Sequence, residues 1–214
     1  MAKTGLIKPY FAKYNYNSET GVVTYSGGGV LGHAIEYTIS CEKSEDNKLW
    51  ADNKVVEIDR GRFQSGTFSL GTDHLSREVS KTILGIKEVT YTKGTLTVKE
   101  LVYDDDMEPV ALGIGVVETH QVNNQHKYRA VITPKVIFSP PEDSATTKGE
   151  TIEWQTPSIE GKIERSDEIS TNYKQPWKKE AWFDDGTQAE EYIRAALNIS
   201  ASTAEQEGDN GKTN

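Results

Sequence analysis

Residues 27–32 read GGGVLG, which satisfies G-x-G-x-x-G, the pattern that cradles a pyrophosphate when it closes a strand and opens a helix. The following HAIEYTIS instead alternates Ile35, Tyr37 and Ile39 with Glu36, Thr38 and Ser40, the period of a half-buried strand. The helix that the chemistry needs is missing, so Gly27, Gly28, Gly29 and Gly32 are read as a turn joining two strands. The acidic run Asp104–Pro109 offers oxygens to calcium, but Pro109 stands at the sixth position, where an EF-hand loop needs glycine, and no helix pattern flanks it. It reads as a solvated turn. His120 and His126 bracket QVNNQ. With Asn123-Asn124 as a two-residue turn suited to positive φ, Val122 pairs with Gln125 and Gln121 with His126, so the two imidazoles face opposite ways and cannot share a zinc ion.

His33 and His74 stand alone in the sequence and read as surface or hydrogen-bonded side chains. Cys41, the single cysteine, excludes an internal disulfide and reads as a small buried or half-buried residue rather than a nucleophile. With 33 acidic residues, paired carboxylates single nothing out, and no G-x-S-x-G, H-E-x-x-H or P-loop occurs. The expectation is a protein with no enzymatic activity, no cofactor and no metal.

The elements that must carry these residues follow from composition and period. A chain of 214 residues, 35% hydrophobic and with 18 glycines, suits one strand-rich domain. Its net charge of −9 argues against affinity for nucleic acid or anionic membranes. Residues 1–17 lack an apolar core of signal-peptide length, and Val110–Val117 is too short to span a bilayer, so a cytoplasmic protein is expected.

Alternation dominates at 67–70, at 96–98 after the turn KGT, at 128–138, at Ile152 and Trp154, and at Ile159 and Ile163, which predicts antiparallel strands. Two segments break it. Leu75, Val79 and Ile83 share a helical face, with Asp73 or Ser76 as cap and Gly85 as stop, which predicts a flanking α-helix over about 75–85. Thr187 and Glu190 have capping-box spacing, and Ala189, Tyr192, Ile193, Ala196 and Leu197 form one stripe, which predicts a C-terminal α-helix over about 187–197. Residues 199–214 are read as a flexible polar tail, and 41–64 and 139–150 as long loops for protein contact. Trp154 reads as core; Trp50, Trp177 and Trp182 are candidates for contacts between subunits.

Four stretches together carry a resemblance: LWADNKVVE (49–57), SGTFSLGTDHLSREVSKTILG (65–85), YRAVITPKVIFSPPEDSATTKGETIEWQTPSIEGKI (128–163) and WKKEAWFDDGTQAEEYI (177–193). In order and spacing the chain resembles the major tail proteins of long-tailed, non-contractile bacteriophages and related prophages, across about residues 5–197. The resemblance implies a mainly β, tail-tube-type sandwich or barrel of antiparallel strands over residues 1–198, with a helix on its flank. It implies six subunits closing a ring by strand extension, and rings stacking into a tube that conducts genome DNA without sequence-specific binding. Tape-measure and tail terminator or adaptor proteins are the implied partners, the virion tail the implied location, and the host cytoplasm the implied place of assembly. A C-terminal immunoglobulin-like domain of longer relatives is missing, so surface decoration by one is not expected.

An acidic wall would repel DNA phosphate and let it pass. Residues 1–17 carry Lys3, Lys8 and Lys13 and no acid, and this arm is expected to lie across an acidic neighbour through Lys8, Tyr10, Phe11 and Tyr14. Trp50, Arg60, Arg62, Lys148 and Glu150, from the long loops, complete the expected subunit contacts. Two other readings are a tube protein of a phage-derived injection or secretion system, and a β-sandwich binding or adhesin module; export for the latter would need a signal peptide.

Overall fold

The computed structural model describes residues 2–142, 147 and 156–200. In chain order the elements are β1 (Ala2–Asn17), β2 (Val22–Val30), β3 (Ala34–Lys43), β4 (Asn47–Ala51), β5 (Lys54–Asp59), β6 (Phe63–Thr72), α1 (Arg77–Leu84), β7 (Lys87–Lys93), β8 (Leu96–Val102), β9 (Ala111–Val122), β10 (Gln125–Phe138), β11 (Ser158–Ile163), β12 (Lys179–Phe183) and α2 (Gly186–Ala196). The fold is mainly β. One eight-stranded sheet runs β2-β1-β9-β10-β11-β6-β3, with β12 also paired to β10, and two hairpins, β4-β5 and β7-β8, stand outside it. The pairings are antiparallel, as the tight connections predict.

β9 shows how alternation builds two cores. Leu112, Ile114 and Val116 enter one apolar cluster with Phe68 and Leu70 of β6, Phe138 of β10, and Val79 and Ile83 of α1. The intervening side of β9 carries Gly113, Gly115 and Val117, and there α2 lays Ala189, Ile193 and Leu197 against Tyr10, Ala12, Ala130 and Ile132. A Cβ on Gly115 would stand 2.3 Å from Cγ2 of Ile193, and one on Gly113 would stand 2.7 Å from Cδ2 of Leu197. The two glycines in VALGIGVV are therefore the seat of the helix.

The expected turn at Asn123-Asn124 is present: φ is 49° and 63°, and Val122 pairs with Gln125 and Gln121 with His126. α1 is capped by Ser76, whose side chain accepts from the N–H of Val79, and ends at left-handed Gly85.

Several expectations are corrected. Residues 2–17 are not an arm across a neighbour: β1 lies between β2 and β9, and Tyr10, Phe11 and Tyr14 are buried within the chain itself. The charge contrast that suggested an acidic neighbour is met partly inside the subunit, where Lys3 reaches Glu118 at 2.6 Å. Gly27–Gly29 belong to β2, leaving Gly32 alone of the four in the turn. Residues 41–64 are not one loop, because β4 and β5 pair around Asp52-Asn53, both at positive φ (50° and 59°). The segment is regular where a loop was expected, and both of its strands are exposed.

Helix α2 is capped by Asp185, whose carboxylate accepts from the N–H of Thr187 at 2.6 Å and of Gln188 at 3.2 Å. Glu190 is not a capping-box partner; it accepts a hydrogen bond from the Tyr10 hydroxyl. Ala196 faces solvent rather than the stripe, whereas Ile199, assigned to the tail, is buried against the α2 core. Cys41 is exposed. Ile152, Trp154, Lys148 and Glu150 lie outside the described residues.

Candidate functional site

The hairpin β4-β5 exposes every residue of both strands. Five of its side chains, Leu49, Trp50, Val55, Val56 and Ile58, are large and apolar, and Trp50 and Val56 are each 63% exposed. A two-stranded ribbon is at best marginal alone in water, and large apolar side chains exposed on both of its faces suit a contact site. The base of the ribbon is fixed. Ser44 N–H donates to the Arg62 carbonyl at 2.9 Å, Arg62 N–H donates back to Ser44 Oγ at 3.0 Å, and Gly61 N–H donates to Asp46 Oδ1 at 2.8 Å. Immediately beyond this clamp, Lys43 pairs with Phe63 in the β3-β6 ladder.

The second hairpin, β7-β8, shows the same character. Tyr91 pairs with Val98 and Lys93 with Leu96, so Val89, Tyr91, Leu96 and Val98 share one face, and all four are exposed. Its base is tied to α1 by the Arg77 guanidinium, which donates to the Lys99 carbonyl at 2.7 Å, and by Lys81 beside Glu88 at 3.4 Å.

The residues expected at subunit contacts therefore divide. Trp50, Arg60 and Arg62 are exposed on or beside the β4-β5 hairpin, and Lys8 is exposed on β1. Tyr10, Phe11 and Tyr14 are buried. Trp177 stacks on Phe63 with ring centroids 4.7 Å apart, and Trp182, half-exposed on β12, lies under the Arg129 guanidinium.

Two polar clusters escaped the reading of the sequence. Glu118 continues the inward phase of Leu112, Ile114 and Val116 along β9 and is fully buried. Its Oε1 accepts from Lys3 Nζ at 2.6 Å and from the Tyr37 hydroxyl, while its Oε2 lies 2.8 Å from His120 Nε2 and 3.3 Å from Arg129 Nη1. Burial alone would raise the Glu118 pKa, but these hydrogen bonds and the Lys3 charge hold it at about 2. Burial and the bond to Glu118 push the Tyr37 hydroxyl in the opposite direction, upward. The cluster joins β1, β3, β9 and β10 and has the character of a structural ion network. The available signal was a carboxylate in phase with an apolar strand face.

The second cluster brings together His33 and His74, which the sequence keeps 41 positions apart, on either side of Asp73. Asp73 Oδ2 lies 2.8 Å from His33 Nδ1, and Oδ1 lies 3.0 Å from His74 Nδ1. Oδ1 also accepts from the backbone N–H of His33 at 3.0 Å and of His74 at 2.8 Å. Both histidines are exposed and hydrogen-bonded, as expected, and the fold adds that they share one carboxylate. By contrast, His120 and His126 do occupy adjacent register positions on opposite faces, with His120 buried and His126 exposed.

No helix among the described residues is long and apolar enough to cross a membrane. The chain matches no protein-family model and no curated protein sequence.

Proposed function

We propose that this chain is the repeating subunit of the tail tube of a long-tailed, non-contractile bacteriophage, polymerising as stacked hexameric rings into the conduit for genome DNA. The observation that carries the proposal is the β4-β5 hairpin, a ribbon whose apolar side chains stand exposed among the described residues and whose base is held by hydrogen bonds. Such a device suits docking onto another copy. The mainly β fold with α1 on its flank agrees with the architecture that the family resemblance implies. β2 and β3 end the sheet path among the described residues, and free sheet edges are what a ring built by strand addition uses. A ring of such subunits sums six net charges of −9, which favours passage of DNA over its retention. Tape-measure and terminator proteins are then its partners at assembly, and the virion tail is its location.

Electron microscopy of the concentrated, purified full chain tests this. Six-membered rings or tubes are expected, and Trp50→Glu with Val56→Glu should leave a folded chain that forms neither. A wild-type chain that stays monomeric at its highest soluble concentration overturns the proposal, as does a double variant that assembles like the wild type.

A further inference from the structure

We infer that His33, Asp73 and His74 form a binding site for a borderline divalent transition-metal cation of the zinc class. The turn after β2 supplies His33, and the connection from β6 to α1 supplies Asp73 and His74. Three features suit these residues to a metal ion.

The first is donor chemistry. Two imidazoles and one carboxylate present one ligand atom each, all within 4.8 Å of one another. Nitrogen-rich sets of this kind select zinc, cobalt, nickel or copper, whereas calcium and magnesium require oxygens.

The second is a fixed carboxylate. Oδ1 of Asp73 is held by two backbone N–H groups, and Asp73 N–H itself donates to the His33 carbonyl at 3.1 Å. The two segments are therefore locked to each other before any ligand arrives. Gly32 permits the approach: its φ is +133°, and a Cβ there would stand 2.7 Å from the His74 carbonyl oxygen. Backbone donors around a ligating carboxylate are the usual means of orienting it.

The third is access with room to adjust. The side chains of His33 and His74 are 68% and 63% exposed, so an ion can enter from solvent and the rings can turn. Tetrahedral zinc, with bonds of about 2.0–2.1 Å, places neighbouring ligand atoms about 3.3 Å apart. His33 Nδ1 now lies 2.8 Å from Oδ2 and needs a small opening, and because the three ligand atoms lie within 4.8 Å of one another, turning the exposed rings draws the set to that spacing. Oδ2, which has no backbone donor among the described residues, is the oxygen left for the metal, and the ion replaces the imidazole protons that now point at the carboxylate. Three protein ligands leave a coordination position to water.

The inference is independent of the tail-tube proposal. It is tested by calorimetric titration of the full chain, free of any histidine tag, with zinc chloride in a buffer that does not chelate metal. Cobalt(II) absorption reports the coordination geometry. One equivalent of zinc should bind in the micromolar range, with cobalt giving the intense visible bands of a four-coordinate site. His33→Gln and His74→Gln should each weaken binding about tenfold or more. His126→Gln, at an exposed histidine of another element, should leave it unchanged. Absence of binding to the wild-type chain overturns the site, as does binding that persists in the His33→Gln/His74→Gln double variant. Because the exchanged side chains are exposed, circular dichroism should show all variants folded.

Discussion

Glu118 carries a charge where no solvent reaches it, and the anion is tolerable only because Lys3, Arg129, Tyr37 and His120 surround it. Its folded pKa, about 2, lies below the ordinary carboxylate value. The unfolded state therefore takes up the proton first as pH falls. The stabilisation is fully present above the ordinary value near 4.3 and is lost as pH drops through about 2. Lys3 is well exposed, so its share is discounted for screening, leaving a contribution on the order of 2 kcal/mol. Glu118→Gln should lower stability at pH 7 by roughly that amount and flatten the fall between pH 4.5 and 2.5. Urea midpoints across that range check this, and a variant with the wild-type slope would assign the acid sensitivity elsewhere. The apolar run at 110–117 is visible in the sequence, but the partners of Glu118 are not: Lys3 is 115 positions from Glu118 and Tyr37 is 81, and only the topology brings them together. His33 and Asp73, 40 positions apart, met for the same reason.

At the scale of elements, the seat of α2 on β9 offers the sharpest test. Gly115→Ala puts a methyl group 2.3 Å from the branched Cγ2 of Ile193, which cannot swing aside as the end of a long side chain would. The helix must lift, at a cost on the order of 2–3 kcal/mol. Adding Ile193→Ala removes the obstructing atoms, so the double variant should be more stable than the sum of the two single losses implies. Thermal or urea unfolding of the four chains gives the coupling, and strict additivity would show that the helix does not sit there. Local chemistry made the Asn123-Asn124 hairpin and the α1 caps legible, since each rests on neighbours in sequence. The β4-β5 hairpin was missed because its strands bury nothing and so lack the apolar alternation of a half-buried strand. The cap of α2 was misplaced because Asp185 and Thr187 both suit the role, and Glu190 was already engaged by Tyr10.

At the scale of the whole molecule, β1 is an interior strand of the sheet, paired to both β2 and β9, whereas residues 44–62 form an excursion between two strands that are already partners. Lys43 of β3 pairs directly with Phe63 of β6, so the excursion can be replaced by a two-residue Asn-Gly turn without asking the sheet to move. No residue of β4 or β5 belongs to either apolar core, so the shortened chain loses no buried side chain from that ribbon. It should keep its circular dichroism spectrum, with a melting temperature within a few degrees of the wild type, on the order of a 1 kcal/mol change at most. It should also be more soluble, having shed the exposed Trp50 and Val56. Yet it should form no tubes by electron microscopy and sediment as a smaller species than the wild type at equal concentration. If the shortened chain assembles normally, the apolar ribbon is not the joining surface, and the sheet edges at β2 and β3 must suffice. If it unfolds, the ribbon contributes to the subunit itself, and its exposed side chains lose their significance as a docking device.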